Sequence, residues 1–331
     1  MAALLHGGSL RSEVPAAAVL HELVDAAHAA RGFTLARLAY PRLVSLMGAI
    51  KPDAVLSTMT GTNLLTAIAH KRIRGFGSRL LLREASSLVN TKGFLKRQAM
   101  RWLYRSADVL ITVSEGVASD LCGLGLSRDR IHVIHNPVDV ERLRRLAAVG
   151  LPLNVPDKTP YVVSIGRLTE AKDFPTLLRA YAASELRGSH RLVIVGEGEQ
   201  RANIELLVRD LNLEDRVQLT GAMDNPYRVL ADAALHVLSS RWEGYPNVLL
   251  EALALGVPVI ATDCPHGPRE LLEGGRYGRL VPVADPRSLA QAMIAEVAQP
   301  SAERARAVIA HDPQEIASRY LALLDRPDAP S

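Results

Sequence analysis

The 331-residue sequence predicts an α/β protein built from two doubly wound parallel-sheet domains that face a cleft. Three observations lead to this prediction. The length suits about two domains. Short runs rich in Val, Ile and Leu alternate with segments of helical length, which is typical of parallel sheets covered by helices on both faces. A stretch with three prolines, residues 150–160, separates two such sets and is expected to be a linker.

The alternation is clearest in the second half of the chain. Six runs there have the length and composition of buried strands, with helical segments between them. Asp285 followed by Pro286 suits an N-cap and a first helical position, so a helix is expected from there to about Ala298. The six predicted strands are Tyr161–Gly166, Arg191–Gly196, Val217–Gly221, Ala234–Ser240, Val257–Thr262 and Arg279–Val283.

The first half repeats this pattern less completely, and Val19–Val24 is at best a weak opening strand. Its clearer predicted strands are Asp53–Thr58, Ser78–Glu84, Asp108–Ser114 and Ile131–Asn136. The expected units are a first domain at residues 1–149, a second domain at 161–308, and a C-terminal helix and tail at 309–331.

Composition and charge narrow the function classes. With 48% apolar and 22% charged residues, the chain is typical of globular proteins, and no apolar run is long enough to span a membrane. Residues 1–150 carry 20 Lys and Arg against 11 Asp and Glu, a net charge of +9; residues 151–331 carry 19 against 24, a net charge of −5. The basic half predicts an anionic partner such as a membrane surface, whereas few aromatic residues argue against nucleic acid. The cytoplasm, including its membrane face, is the expected location because two cysteines suggest no disulfide framework.

The most informative stretch is EGYPNVLLEALALG, residues 243–256, in which two glutamates lie eight residues apart. Pro246 and Asn247 suit a helix start, so Glu243 should precede the helix and Glu251 should lie about one turn inside it. Backbone N–H groups at a helix start favour phosphate, because they lack intrahelical partners and the helix dipole is positive there. The pattern predicts a sugar-nucleotide site. The alternative is that Glu243 is solvated and Glu251 only assists the helix start.

Two further loops follow predicted strands of the second domain. In GRLTEAKDF, Arg167 and Lys172 come just after Gly166, where two cations could hold a diphosphate without a metal; the alternative is a solvated loop. In VGEGEQ, Gly196 and Gly198 form a lone G-x-G, which indicates a tight turn more than a dinucleotide site. No spacing of His and Cys suggests a metal site, and none is expected.

The first domain offers two candidate features. Glu84 ends a predicted strand, a position suited to presenting a carboxylate to an acceptor in the cleft, or equally to capping the next segment. Arg97, Arg101 and Arg105 then form a basic stripe on a predicted helix, which fits either an anionic lipid surface or an ordinary solvated face. The residues of this helix expected to face the sheet are Leu95, Ala99, Trp102 and Leu103.

Four stretches taken together resemble the C-terminal half of retaining glycosyltransferase family 4, the "group 1" glycosyltransferases of the GT-B fold. They are SIGRLTEAKDFPTLLRAY, LVIVGEGEQ, SSRWEGYPNVLLEALALGVPVIATDCPHGPREL and YGRLVPVADP, in the expected order over residues 161–290. KPDAVLSTMTGTNLLTAIA resembles the family's acceptor domain less specifically. The resemblance implies sugar transfer from a nucleoside diphosphate donor with retained anomeric configuration and without a required metal.

The resemblance also implies roles for individual residues. Arg167 and Lys172 would hold the diphosphate. Glu243 would lie beside the donor sugar, as nucleophile or as orienting group, and Glu251 would bind the ribose hydroxyls. The β-phosphate would meet the backbone at the helix start. The donor-binding residues implied there, together with Gly166 after the first strand, are Gly244, Tyr245, Pro246, Asn247 and Val248.

The chain departs from the family's pattern at two places. Glu84-Ala85-Ser86 stands where members often carry Glu-His-Asn, so a histidine near the reaction centre is absent. The residues before the first clear strand are also too few for the family's opening strand, glycine-rich loop and helix. We therefore expect Met1 to be an internal start, a longer natural chain to supply that unit, and the protein as given to be aggregation-prone and poor at transfer.

The expected function is that of a hexosyl- or N-acetylhexosaminyl-type transferase that moves a sugar from UDP to a glycan or lipid-linked acceptor. Two alternatives stay open. One is a sugar-nucleotide epimerase of the same architecture, which would consume its donor without an acceptor; the other is a catalytically silent sugar-nucleotide-binding subunit. A nicotinamide dehydrogenase fits poorly, because no G-x-G-x-x-G follows a strand.

Overall fold

The computed structural model describes residues 2–5, 15–24, 32–73, 77–89, 91, 93–149 and 159–324. Within these ranges, parallel sheets lie in both halves of the chain and helices pack against them, as the alternating sequence predicts. The predicted linker falls mostly outside the described residues, and so does the predicted C-terminal tail.

The first domain contains a four-stranded parallel sheet and a separate parallel pair of short strands. The pair consists of β1 (Ala2–Leu5) and β2 (His21–Val24), and the sheet of β3 (Ala54–Thr58), β4 (Arg79–Glu84), β5 (Val109–Thr112) and β6 (Ile131–Val133). The weak strand predicted at Val19–Val24 therefore exists. Among the described residues it pairs with β1 and does not extend the larger sheet, in which β3 is an edge strand. The expectation about Met1 stays a prediction.

Five helices accompany these strands in the described part of the first half. They are α1 (Gly32–Ile50), α2 (Thr60–Arg72), α3 (Phe94–Tyr104), α4 (Glu115–Gly123) and α5 (Val140–Val149). The orientation predicted for α3 is wrong in part. Leu103 faces the domain core as expected, but Leu95 and Trp102 are exposed, because Met100 and Tyr104 fill the core instead.

The second domain contains a six-stranded parallel sheet. Its strands are β7 (Tyr161–Ile165), β8 (Arg191–Val195), β9 (Val217–Gly221), β10 (Leu235–Leu238), β11 (Val259–Thr262) and β12 (Arg279–Val281). Their spatial order is β12-β11-β10-β7-β8-β9, so the direction of winding reverses between β7 and β10. Doubly wound sheets bind ligands at such a switch point, beyond the carboxyl ends of the strands. The loops after β7 and β10 are those that carry the predicted donor motifs.

The helices of the second half cover this sheet and then leave it. They are α6 (Phe174–Ala183), α7 (Leu186–Ser189), α8 (Arg201–Asp210), α9 (Tyr227–Ala231), α10 (Asn247–Ala254), α11 (Pro268–Leu271), α12 (Pro286–Ala298) and α13 (Pro313–Leu324). The start of α12 agrees with the sequence, since the Asp285 side chain accepts hydrogen bonds from the backbone N–H groups of Arg287 and Ser288.

The two domains exchange helices. α5, which the sequence assigns to the first domain, packs on the second: Leu143 belongs to a core cluster with residues of α10, and Asn225 Nδ2 donates to the Leu146 carbonyl at 2.9 Å. α13 returns to the first domain, where Ile316 packs with Leu81 of β4 and Ile111 of β5. Each domain is thus completed by a helix from the other half of the chain.

Candidate functional site

Two charged side chains predicted from separate motifs meet at the switch point of the second sheet. Lys172, in the loop after β7, places Nζ 2.6 Å from Oε1 of Glu243, in the loop after β10. The Ser240 hydroxyl donates to the same Oε1 at 2.6 Å. The Lys172 and Glu243 side chains are only 19% and 12% exposed, so the pair is shielded from water but still reachable from the cleft. An incoming phosphate would compete with Glu243 for the Lys172 ammonium.

The loop that presents Lys172 is held by contacts that sequence reasoning did not identify. Asp173 has left-handed backbone angles, φ 44° and ψ 48°, and its buried carboxylate accepts from Thr176 Oγ1 at 2.8 Å. Arg241 Nε lies 3.1 Å from the same carboxylate. The Ser239 hydroxyl donates to the Lys172 carbonyl at 2.7 Å. These contacts fix the backbone on both sides of the Lys172 side chain.

Glycines allow the first two loops of the second domain to pack closely. A Cβ on Gly196, whose φ is 147°, would lie 1.9 Å from the Gly166 carbonyl oxygen, and a Cβ on Gly198 would lie 2.4 Å from the Leu168 carbonyl oxygen. The G-x-G sequence therefore makes a tight backbone contact, in line with the tight turn that the sequence indicates. Gly166 itself lies under the Lys172 side chain, whose Cε would be 3.2 Å from a Cβ there.

Arg167 stands apart from this pair. It is exposed beyond the end of β7, and within the described ranges its side chain has no hydrogen-bond or ion-pair partner. A guanidinium in this position can donate hydrogen bonds to two phosphate oxygens without first breaking a protein contact. Arg167 and Lys172 thus supply two cations at one strand end, as the sequence predicted.

The helix after Glu243 begins at Asn247, with Pro246 as its N-cap residue. Pro246 has no N–H, so it contributes shape and not a hydrogen bond to a phosphate. Among the described residues, no acceptor pairs with the backbone N–H groups of Asn247 and Val248, which leaves them available to an anion. The ring of Tyr245 is buried and stacks on His135 with centroids 5.1 Å apart. Only its backbone can therefore reach the donor side.

Glu251 occupies a different environment from Glu243. Burial raises the pKa of the Glu251 carboxyl, which hydrogen bonding to Tyr227 and the positive charge of Arg142 only partly offset. The Tyr227 hydroxyl lies 3.5 Å from Oε1. Both partners help to line a small cavity of about 100 Å³ on which Glu251 opens, between α5 and the first turns of α10. A half-buried carboxylate with unused acceptor capacity suits neutral hydrogen-bond donors such as hydroxyls.

Glu84 does not present a carboxylate to the cleft, contrary to the first of the two readings of its position. Its side chain is fully buried and accepts from Tyr104 OH at 2.8 Å and from Thr60 Oγ1 at 3.0 Å. The backbone N–H of Ser86 also points to it at 3.4 Å. Burial raises the pKa of the Glu84 carboxyl. The residue anchors the start of the following loop, which is the alternative that the sequence left open.

The loop after β4 touches the donor loop directly. A Cβ on Gly244 would lie 2.3 Å from the Ala85 carbonyl oxygen, so only glycine fits there. The Ser114 hydroxyl, at the N-cap of α4, donates to the Gly244 carbonyl at 2.9 Å. The backbone next to Glu243 is thus positioned by the first domain as well as by its own.

Two histidine–carboxylate pairs connect the domains. In one pair the histidine comes from the first half of the chain, and in the other it comes from the second half. His135, after β6, lies 2.6 Å from Glu270 of α11, and His266, in the loop before α11, lies 2.8 Å from Asp120 of α4. One member of each pair, Glu270 and His266, helps to line a cavity of about 510 Å³ that also contacts Glu115 and Gly116 of α4. The sequence analysis did not identify His135, Asp120 or Glu270. Their partners are more than one hundred residues away, so no short motif indicates that these side chains pair.

No group of three or more His, Cys, Asp or Glu side chains among the described residues is arranged to hold a metal ion. No helix in the described part of the chain has both the length and the hydropathy of a membrane span.

Sequence profiles of one enzyme family match successive parts of the chain. A profile described as "Glycosyl transferases group 1" matches residues 159–299, and one described as "Glycosyltransferase Family 4" matches residues 7–142. The two matches follow the two domains.

Curated proteins with similar sequences include the N-acetylgalactosamine-N,N'-diacetylbacillosaminyl-diphospho-undecaprenol 4-alpha-N-acetylgalactosaminyltransferase of Campylobacter jejuni. It is 33% identical over 205 residues, which cover 62% of this chain and 54% of that protein. The lipopolysaccharide core biosynthesis glycosyltransferase LpsE of Rhizobium meliloti is 33% identical over 67% of this chain and 65% of its own length. The chain therefore spans less than two thirds of the length of either relative.

Solved structures share the fold. Anabaena HepE in complex with UDP and glucose superposes with a TM-score of 0.76 at 20% identity, over 92% of this chain and 85% of that one. The apo form of the lipopolysaccharide outer core galactosyltransferase WaaB superposes with a TM-score of 0.69 at 21% identity, over 91% and 82%. These similarities confirm the predicted GT-B architecture.

Proposed function

Because the chain belongs to glycosyltransferase family 4, we propose that it transfers a sugar from UDP to a lipid-linked or glycan acceptor with retention of anomeric configuration. The observation that carries the proposal is the Lys172–Glu243 pair, 2.6 Å apart at the switch point and beside the start of α10. One helix start, two cations and two carboxylates surround the place where a sugar diphosphate would lie. The named activities of the relatives add support for a lipid-linked acceptor.

In the proposed reaction, the bond between the sugar's anomeric carbon and the diphosphate oxygen breaks, and the electron pair stays on the diphosphate. Arg167, Lys172 and the N–H groups at the start of α10 stabilise the negative charge that develops there. The acceptor hydroxyl forms the new bond to the anomeric carbon, and its proton leaves with the diphosphate. Glu243, once released by Lys172, has one of two roles. Either it attacks the anomeric carbon first, as the diphosphate leaves, and forms a glycosyl ester whose bond to Glu243 breaks when the acceptor hydroxyl attacks, or it orients the sugar while the acceptor attacks from the face that the diphosphate leaves.

Glu251 has a different part in this proposal. Its carboxylate lies one turn into α10, in the small cavity that Tyr227 helps to line. From there it accepts hydrogen bonds from the ribose hydroxyls of the donor. The two glutamates then divide the donor between them, with the sugar at Glu243 and the nucleoside at Glu251.

We also propose that the reaction needs no metal, because the two cations already face the diphosphate. Addition of EDTA should leave initial rates within about twofold, and added Mg²⁺ should not raise them. A loss of activity in EDTA that Mg²⁺ restores would contradict this part of the proposal.

The test of the whole proposal is a transfer assay with a panel of UDP-sugars and a polyprenyl-diphosphate-linked saccharide. UDP release should depend on the acceptor, and the anomeric proton coupling of the product should match that of the donor. Conversion of the donor into an epimer without acceptor would instead identify an epimerase. UDP binding without any turnover of donor would identify a binding subunit.

A further inference from the structure

The outward face of α3 carries three large apolar side chains among its polar ones, whereas the outward face of a surface helix is usually polar. Phe94 and Leu95 are 74% and 83% exposed, and Trp102 is 64% exposed. The sequence had placed Leu95 and Trp102 in the core. The helix therefore has apolar side chains on two faces, one packed against its sheet and one exposed.

These exposed side chains lie along one stripe. Phe94, Gln98 and Trp102 are spaced by four residues, so they follow one line along the helix over a rise of about 12 Å, with Leu95 beside it. Val89, in the loop before α3, is also exposed. We call Val89, Phe94, Leu95 and Trp102 the α3 patch. Its aromatic and aliphatic side chains are of the kinds that enter the interfacial layer of a bilayer.

Positive charge surrounds the α3 patch. Lys71 of α2 holds its Nζ 3.2 Å from the centre of the Trp102 ring, and Arg97 and Arg101 are exposed on the edge of the patch. Residues 54–107 contain ten Lys and Arg but a single acidic residue, Glu84, and that side chain is fully buried. An anionic surface could therefore approach this part of the molecule without meeting an exposed carboxylate from that segment.

The α3 patch also lies close to the cleft. α3 follows the loop after β4, and that loop touches the donor loop at Gly244. In a parallel sheet, the helix after a strand starts at the edge where the strand ends, which here is the cleft edge. Phe94 and Leu95, at the start of α3, thus lie at the end of the helix nearer the cleft.

We propose that the α3 patch docks the protein on an anionic lipid bilayer by inserting Phe94, Leu95 and Trp102 into the interfacial layer. The flanking cations bind the lipid headgroups. The inference rests on the proposed function in that a lipid-linked acceptor would be delivered to the cleft from this surface. It goes further by naming the inserted side chains and by requiring burial of apolar surface in addition to charge attraction.

The test uses Trp102 as the reporter. The chain has two tryptophans, so Trp242→Phe leaves Trp102 as the only one. With vesicles of phosphatidylcholine and phosphatidylglycerol, the Trp102 emission should shift to shorter wavelength, and bromine-labelled acyl chains should quench it. Vesicles of phosphatidylcholine alone should give much weaker binding. No blue shift with either vesicle would overturn the proposal and leave the patch to a protein partner.

Sedimentation with the same vesicles separates insertion from charge attraction. Phe94→Gln with Leu95→Gln should weaken binding at least about tenfold, whereas the matched pair Leu206→Gln and Ile309→Gln, exposed in the second half of the chain, should not. Substitution of glutamine for Arg97, Arg101 and Arg105 should weaken binding mainly at low salt. Equal binding by the Phe94 and Leu95 variant and the wild type would contradict insertion.

This measurement is independent of sugar transfer. Calorimetry should show the same UDP affinity for the wild type and for the Phe94→Gln, Leu95→Gln variant, because both positions lie outside the donor site. If vesicles bind but no sugar is transferred, the docking surface stands and the proposed function fails. If sugar is transferred to a short water-soluble acceptor but the blue shift is absent, the docking surface fails alone.

Discussion

A glutamate lies at a comparable position on each side of the cleft, but the two glutamates differ in their partners and in their exposure to solvent. On the second domain, Glu243 follows β10 and pairs with Lys172, with some exposure left on both side chains. On the first domain, Glu84 ends β4 and is sealed beneath Thr60 and Tyr104 with no exposure. The comparison teaches that a carboxylate at a strand end is not enough to mark a reactive site. Its partners decide whether it is available to a substrate or holds the protein together.

The largest expected effect is a difference in turnover between variants of these two glutamates. Glu243→Gln should lower turnover at least about 100-fold while folding and nucleotide binding persist, because a positioned catalytic group contributes about that much. Glu84→Gln should lower turnover far less, since its carboxylate does not face the cleft. Steady-state kinetics of UDP release checks both variants. Similar losses in the two variants would erase the distinction, and turnover by Glu243→Gln within about threefold of the wild type would make Glu243 a spectator.

Stability, in contrast to activity, should depend strongly on Glu84. Glu84→Ala removes the acceptor of the buried Tyr104 hydroxyl, which costs about 1–3 kcal/mol, and that of the half-buried Thr60 hydroxyl, which costs less because water can reach it. Urea unfolding measures this loss of free energy. Glu141→Ala, which removes only an exposed ion pair with Arg144, is the control and should change the free energy of unfolding by less than about 0.5 kcal/mol. An equal effect in the two variants would show that the buried network is not stabilising.

A smaller effect sharpens the comparison within the donor site. Burial raises the pKa of Glu251 in the folded protein, so its ionised form destabilises the fold at neutral pH, and this cost disappears as the pH falls through the folded pKa. Glu251→Gln should therefore raise the melting temperature at pH 8, with little difference at pH 4, and should weaken UDP binding. A lower melting temperature at pH 8 would show that the carboxylate is stabilising as it stands.

The sequence predicted the second domain better than the first for a physical reason. Strand, loop and helix start are local features, so Lys172, Glu243 and Glu251 could be placed from short motifs. The pairs His135–Glu270 and His266–Asp120 depend on how the domains meet, which no local pattern encodes.

Two further features were not predicted from the sequence, for related reasons. The apolar residues of α3 divide between two faces, so periodicity did not show which face is buried. The exchange of α5 and α13 was also hidden, because the order of elements along the chain does not reveal which sheet a helix covers.

The central claim is that the donor diphosphate binds to the cations at the end of β7. Calorimetric titration of UDP into the wild type, Arg167→Ala and Lys172→Ala tests it most directly, with Arg187→Ala as control. Arg187 lies on α7, just before β8 and therefore at the opposite edge of the same sheet, where it donates to the Asn212 carbonyl. Each of the first two variants should lose about 1.5–3 kcal/mol of binding free energy, since charge-assisted phosphate contacts have that strength, while the control should bind UDP like the wild type. Unchanged affinity in both Arg167→Ala and Lys172→Ala would contradict the account.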